Sequence, residues 1–271
     1  MKELTLADHQ RLGLEIIKEV DNWCTRNKVR YTLCGGTLIG AIRHQGFIPW
    51  DDDIDIAMPR PDYNRFVKEF SHPDLICVAP ELGNSLISYG RVCDTKKTYS
   101  IPYCPWSTMD KLGKWIDIFP IDGEPEDMEE FGALMQDIVK RQAKLYQIRG
   151  SKLPITLSLG LTRIAKNIGK RILYGHYNLQ AELDQLLKII KKIGYGETNY
   201  NGNLSYPTYR TKERSRTEIF ESYIRVKFED TELSVSEHYD EYLRDVFGDY
   251  MRLPPEEERA PKHSEHRFFF K

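Results

Sequence analysis

Asp53 and Asp55 stand one residue apart in the run Asp53-Ile54-Asp55-Ile56, where carboxylates alternate with branched apolar side chains. In a strand, side chains two apart share a face. Both carboxylates then project together while Ile54 and Ile56 pack behind them. Neighbouring carboxylates repel, so a rigid strand that holds them side by side calls for a cation between them. Hard oxygen ligands favour Mg²⁺, with Mn²⁺ as the alternative, and Mg²⁺ commonly bridges to substrate phosphates. Upstream, Gly35-Gly36-Thr37 leads into a short helix over Leu38–Arg43. A glycine pair at a helix start offers free backbone N–H groups and lets a phosphate come close. Phosphate bed and metal strand within one short unit suit the transfer of a phosphorus-centred group. A D-x-D taken alone is more often a solvated turn. Here the isoleucine alternation, the nearby glycine pair and the preceding Asp51 and Asp52 favour the catalytic reading.

Asp117 is the natural third ligand. It interrupts the apolar run Trp115-Ile116-Asp117-Ile118-Phe119-Pro120, and a buried carboxylate needs an ion or several hydrogen bonds. It is also a candidate general base for an attacking hydroxyl. Arg43 is placed to fork onto a phosphate or to pair with a nearby aspartate. Trp50 is either a core anchor or a stacking surface for a base or a cationic group. Arg91 lies in the short strand Ser88–Val92, at one end of the sheet, and reads as a phosphate contact or a surface charge. Asp122, past Pro120, reads as a turn.

The elements that must position these groups follow from periodicity. Residues 5 to 27 repeat Leu12, Ile16, Val20 and Trp23 at helical spacing, with Thr5 as N-cap and His9 on the surface. Tyr31–Leu33, Leu75–Ala79, Ser88–Val92, Trp115–Pro120, Glu218–Phe220 and Tyr223–Phe228 read as strands. Asp62–Ser71 reads as a helix. From Pro125 the pattern turns helical, over Met128–Ile148, Pro154–Leu173 and Asn178–Ile193. Between Lys140 and Arg171 there are nine cations and no acid. Such a stretch suits a solvated helical cap, an anionic acceptor or the inner face of a membrane. Gly194–Arg216 is a tyrosine-rich loop near a site. Ser236 caps a last helix that ends at Gly248. These shifts divide the chain into a catalytic core at 1–124, a basic helical insertion at 125–200 and a C-terminal part at 201–271 that completes the cleft.

The bulk composition narrows the class. The chain has 271 residues, 40% hydrophobic and 30% charged, with a net charge of −2. That is an ordinary globular balance without a general attraction to nucleic acid. No apolar run is long enough to span a membrane. Five scattered cysteines without a CxxC pair predict reduced thiols and a cytoplasmic protein, with peripheral membrane contact as an addition.

The segments GGTLIGAIRHQGFIPWDDDIDIAMPR, WIDIFPIDG and FESYIRVKFED…YDEYLRDVFGDYMRLPPEEER together resemble the LicD family, of which the fukutins are distant members. The resemblance runs from about residue 5 to the C-terminus. It implies an α+β fold, a nucleotidyltransferase-like mixed sheet with helices packed on it and a helical extension. It implies transfer of phosphocholine from CDP-choline to a sugar hydroxyl of a teichoic acid or lipopolysaccharide precursor carried on lipid, with release of CMP. The motif residues map onto Gly35, Gly36, Asp53, Asp55 and Asp117, with Arg43, Trp50 and Asp51 in the connecting run. Thr37 joins Gly36 and Arg43 in positioning phosphates. Choline asks for aromatic faces, and Trp50, Trp106, Trp115 and the tyrosines of 195–209 are candidates. Nucleotidyl transfer, or transfer of ethanolamine, ribitol or another CDP-linked alcohol, needs the same metal arrangement.

Overall fold

The strand that carries Asp117 lies in the middle of the sheet, and its alternation explains why. The computed structural model describes residues 2–101, 107–109, 112–152, 161–259 and 267–271, with backbone alone over 161–166. The elements run β1 (Thr32–Leu33), β2 (Asp55–Pro59), β3 (Leu75–Val78), β4 (Gly90–Asp94), β5 (Thr98–Ile101), β6 (Trp115–Gly123), β7 (Tyr200–Gly202), β8 (Ser215–Arg216), β9 (Tyr223–Phe228), β10 (Thr231–Ser236) and β11 (Arg267–Phe270). The α-helices are α1 (Leu6–Asn27), α2 (Gly35–His44), α3 (Arg60–Glu69), α4 (Met128–Lys152), α5 (Leu161–Tyr174), α6 (Leu179–Ile190) and α7 (Tyr239–Phe247). The main sheet has the order β1-β2-β6-β4-β3, with β7 and β8 continuing from the end of β6. Only β2 and β6 run parallel; the other pairs are antiparallel. The fold is therefore α+β on a mixed sheet.

Ile54, Ile56, Ile116, Ile118 and Val92 are fully buried on one face, against Ile16, Ile17 and Val20 of α1 and Phe66 of α3. Burial of each such side chain contributes about 1.5–3 kcal/mol. The opposite face carries Ala57, Tyr89, Phe119 and Ile121, which belong to a second cluster with Ile219 and Phe220. Asp55 and Asp117 fall on this second face. The helical extension has its own core of Phe131, Met135, Ile138, Leu183, Leu186 and Ile190.

Local chemistry sets the element ends. Thr5 and Asp8 form a reciprocal capping box at the start of α1. Asn178 caps α6 by accepting from the Ala181 N–H. Several expectations need correction. His9 is half-buried, edge-on to Phe268 at 5.2 Å, and burial pushes its imidazole down to about 4. Residues 217–220 form a 3-10 turn rather than a strand. Ser236 ends β10, and its hydroxyl accepts from the His238 N–H just ahead of α7. The start of the expected helix at Pro154 lies outside the described residues, as does Trp106. Cys24, Cys34, Cys77 and Cys93 are buried.

Asp122 is not in a turn. It lies inside β6, 1% exposed, and Arg60 forks onto it with Nε–Oδ1 2.7 Å and Nη2–Oδ2 2.6 Å. Pro120 lacks one donor but keeps an extended backbone, so the strand continues through it to Gly123.

Candidate active site

β2 and β6 are in parallel register with Asp55 opposite Asp117, and β4 places Arg91 opposite Asp117 on the other side. The three side chains form a row across the sheet. Arg91 Nε donates to Asp117 Oδ1 at 2.5 Å and Nη2 donates to the Tyr89 hydroxyl at 3.1 Å. Its guanidinium lies 4.5 Å from the Trp115 ring centre, which fixes it by stacking. Arg91 is thus buried, not a surface charge. Strand β2 begins at Asp55, so Asp53 lies before the strand rather than in it as alternation predicts, and Ile54 O accepts from the Asp117 N–H at 2.9 Å. The ligand atoms of Asp51, Asp52 and Asp53 lie within 4.8 Å of one another.

Burial raises the Asp55 carboxyl well above its ordinary value, and Asp53, Asp117 and Asp51 raise it further, with only Arg91 opposing. With both carboxylates ionised, the row would carry one more negative charge than Arg91 balances. Carboxylates are the hard oxygen donors that a divalent ion takes, but among the described residues three such ligand atoms come within 4.8 Å of one another only in Asp51, Asp52 and Asp53, not in Asp53, Asp55 and Asp117. Sequence inspection gave no role to Lys114, which is buried behind the run. Its Nζ donates to the Asp52 carbonyl at 2.5 Å. Burial lowers its ammonium, and Asp53 and Asp52 pull it back.

Beside the row, α2 opens without a side-chain cap at Cys34, leaving its first N–H groups for an anion. Gly35 has φ +56°, a left-handed conformation that favours glycine, and a Cβ there would stand 3.3 Å from Asp55 Oδ2. At Gly36 a Cβ would stand 2.8 Å from Asp51 Oδ2. Both glycines thus let carboxylate and helix start approach. Thr37 is buried beneath this bed, and its Oγ1 accepts from the Asp55 N–H at 2.9 Å. In this arrangement it locks α2 to β2.

The row opens into a cavity of about 1010 Å³. Gly35, Gly36, Arg43, Trp50, Asp53, Asp55, Arg91 and Asp117 all line it; Thr37 does not. Arg43 pairs with no aspartate in the described hydrogen bonds. Its Nη1 donates to the carbonyls of Tyr250 and Arg252 at 2.7 and 3.1 Å. Burial and the like charge of Arg259 push its guanidinium down. Arg259 in turn lies 5.6 Å from the Trp50 ring centre. Arg43, Arg252 and Arg259 form a cationic wall of the acid-lined cavity. Tyr206 and Tyr209 of the tyrosine-rich loop also line it, whereas Trp115 and Tyr195 do not. Tyr195 instead donates to Glu221 at 2.7 Å.

Two contributors escaped sequence inspection because distant segments bury them. Glu213, in the 3-10 turn Arg210–Glu213, is 7% exposed and lines the cavity. Tyr242 of α7 lines the same cavity within electrostatic reach of Glu213. The only signal was an acid among tyrosines, in a stretch with no periodicity.

A family model described as "LicD/FKTN/FKRP, nucleotidyltransferase domain" matches residues 28–147. The chain is 32% identical over 273 residues to the lipopolysaccharide cholinephosphotransferase LicD of Haemophilus influenzae, covering 97% of both chains. Shorter matches join it to uncharacterized proteins of Rickettsia typhi, 37% identical over 67 residues, and Rickettsia prowazekii, 38% over 63 residues. These cover 24% and 23% of this chain, and 22% and 24% of the relatives.

Proposed function

Since the chain belongs to the LicD family, we propose that it transfers phosphocholine from CDP-choline to a sugar hydroxyl of a lipid-linked lipopolysaccharide or teichoic acid precursor, releasing CMP. The observation that carries this reading is the shared cavity, in which an acid row and a glycine bed meet a cationic wall and aromatic rings. Acid row and glycines suit a metal-bound diphosphate; the rings suit a quaternary ammonium.

Asp53, Asp55 and Asp117 are the residues that would hold Mg²⁺, or Mn²⁺ in its place. The ion would supply charge neutralisation on the diphosphate as the leaving phosphate separates. The α2 N-terminus at Gly35 and Gly36 receives a phosphate oxygen, with Thr37 holding that helix start in place. Arg43 and Arg259 face the phosphates from the opposite wall, and Trp50 offers a ring for the base. Arg91 orients Asp117 through its Nε–Oδ1 bond, and its Nη2 is tied to Tyr89. The acceptor oxygen bonds to the β-phosphorus, the bond from that phosphorus to the bridging oxygen breaks, and CMP carries that oxygen away. The hydroxyl proton passes to Asp117.

Incubation with a panel of CDP-alcohols and a lipid-linked oligosaccharide tests the reading by its products. CMP and a choline phosphodiester on the glycan are expected. Release of choline phosphate with the nucleotide left on the acceptor would instead mark a nucleotidyltransferase. Preference for CDP-ethanolamine or CDP-ribitol would reassign the donor.

We also place the acceptor's membrane side at α5. Ile168, Ile172 and Leu173 are 46%, 74% and 64% exposed there, beside Lys170 and Arg171. No described helix is long and apolar enough to cross a membrane, and an exposed apolar edge flanked by cations suits a surface contact. The protein should co-sediment with anionic vesicles, and Ile172→Asp should reduce the bound fraction severalfold. Equal sedimentation of both proteins would remove this assignment.

A further inference from the structure

The cavity holds one buried carboxylate that the transfer chemistry does not use. Glu213 is 7% exposed, and its Oε2 has no hydrogen-bond partner among the described residues. No described cation pairs with it. Its chain neighbours Arg210 and Lys212 are exposed, while Arg214 donates to the Pro125 and Glu126 carbonyls and lies 3.4 Å from the Tyr200 ring centre. A buried carboxylate in this state is costly unless a ligand brings the missing charge.

Its surroundings say which charge. Tyr209 and Tyr242 lie within electrostatic reach of Glu213, and Phe247 stands edge-on to Tyr209 at 4.8 Å. All four line the cavity together with Cys34, the residue just before the glycine bed. Tyr209 is also within electrostatic reach of Asp55 and Asp51, so the aromatic and acidic corner adjoins the acid row. A primary ammonium would seek three acceptors. Here there is one buried, unpartnered carboxylate oxygen, on a residue that lines the cavity, with several ring faces beside it, which is what a quaternary ammonium, with no N–H to donate, prefers.

We propose that Glu213, with Tyr209, Tyr242 and Phe247 around it, forms the subsite for the quaternary ammonium of the donor. This rests on the reading of the chain as a phosphocholine transferase, and it adds a residue that selects the alcohol. Burial pushes the Glu213 carboxyl up to about 8, partly offset by a backbone hydrogen bond at Tyr209. No described cation opposes that burial, and one bound beside the carboxyl would draw its proton off.

The test uses the full chain, Glu213→Gln and Tyr209→Leu, with two readouts. By calorimetry, phosphocholine should bind the wild type and bind each variant at least tenfold more weakly, while CMP binds all three alike. In turnover, KM for CDP-choline should rise at least tenfold in Glu213→Gln, and the preference over CDP-ethanolamine should shrink. Unchanged phosphocholine affinity in Glu213→Gln would overturn the subsite. So would parallel loss of CMP affinity in both variants, which marks a merely structural role. Phosphocholine binding that depends on Glu213, in a protein that turns over no CDP-choline, would keep the subsite and sink the proposed reaction.

Discussion

Asp55→Asn loses turnover by about 10³-fold or more, about 4 kcal/mol of transition-state stabilisation, while the protein melts no lower than the wild type. Both halves of this result follow from the same surroundings. Asp55 sits at the junction of β2, β6 and the start of α2, so its carboxylate is central to any ion held by the row. Its charge is also disfavoured by burial and by three nearby carboxylates. The amide removes that repulsion at equal size. The backbone bonds remain, since the Asp55 N–H still donates to Thr37 and its carbonyl still accepts from Cys34. An active site that stores repulsion for function trades stability for activity. Near-normal activity in this variant would remove Asp55 from the machinery. A drop in melting temperature alongside the activity loss would mean that the carboxylate is structural.

Asp122→Ala should be the most destabilising single change that leaves the acid row untouched. It strands the Arg60 guanidinium, whose side chain is 9% exposed, with only Glu81 at 3.3 Å. Removing one partner of a buried pair costs about 3–5 kcal/mol, which at this chain length lowers the melting temperature by roughly 10 °C. Replacing both partners together, Arg60→Met with Asp122→Leu, should recover most of the loss, because no buried charge is then left alone. Thermal melts of the wild type, the single variant and the double variant measure this. A single variant melting within about 2 °C of the wild type would show that water reaches the pair.

The acid row was legible because strand periodicity and chemistry agree there. Asp55 opens the strand and Asp117 interrupts an apolar run, so both could be assigned a face from local pattern alone, whereas Asp53 lies before the strand and its shared face with Asp55 does not follow from strand alternation. The glycine bed was legible for the same reason, as a short signal at one helix start. Arg91 could be seen but not placed. Its burial depends on register with Asp117 and on stacking against Trp115, which local pattern does not encode. Asp122 was misread because a proline and a glycine flank it, and the ion pair that keeps it in the strand comes from 62 residues away. Lys114 and Glu213 were missed outright. Lys114 is buried under the 51–53 run, and α7, later in the chain, packs on the turn that carries Glu213. In each case a long-range partner decides the role.

Calorimetric titration of CDP-choline into the protein, with Mg²⁺ and then with a chelator, tests most directly whether the carboxylates of β2 and β6 bind a diphosphate through a divalent ion. The wild type should bind the donor at least tenfold more tightly with Mg²⁺ than without it, and Asp55→Asn should show no such gap. Equal affinity of the wild type in both conditions would contradict the account.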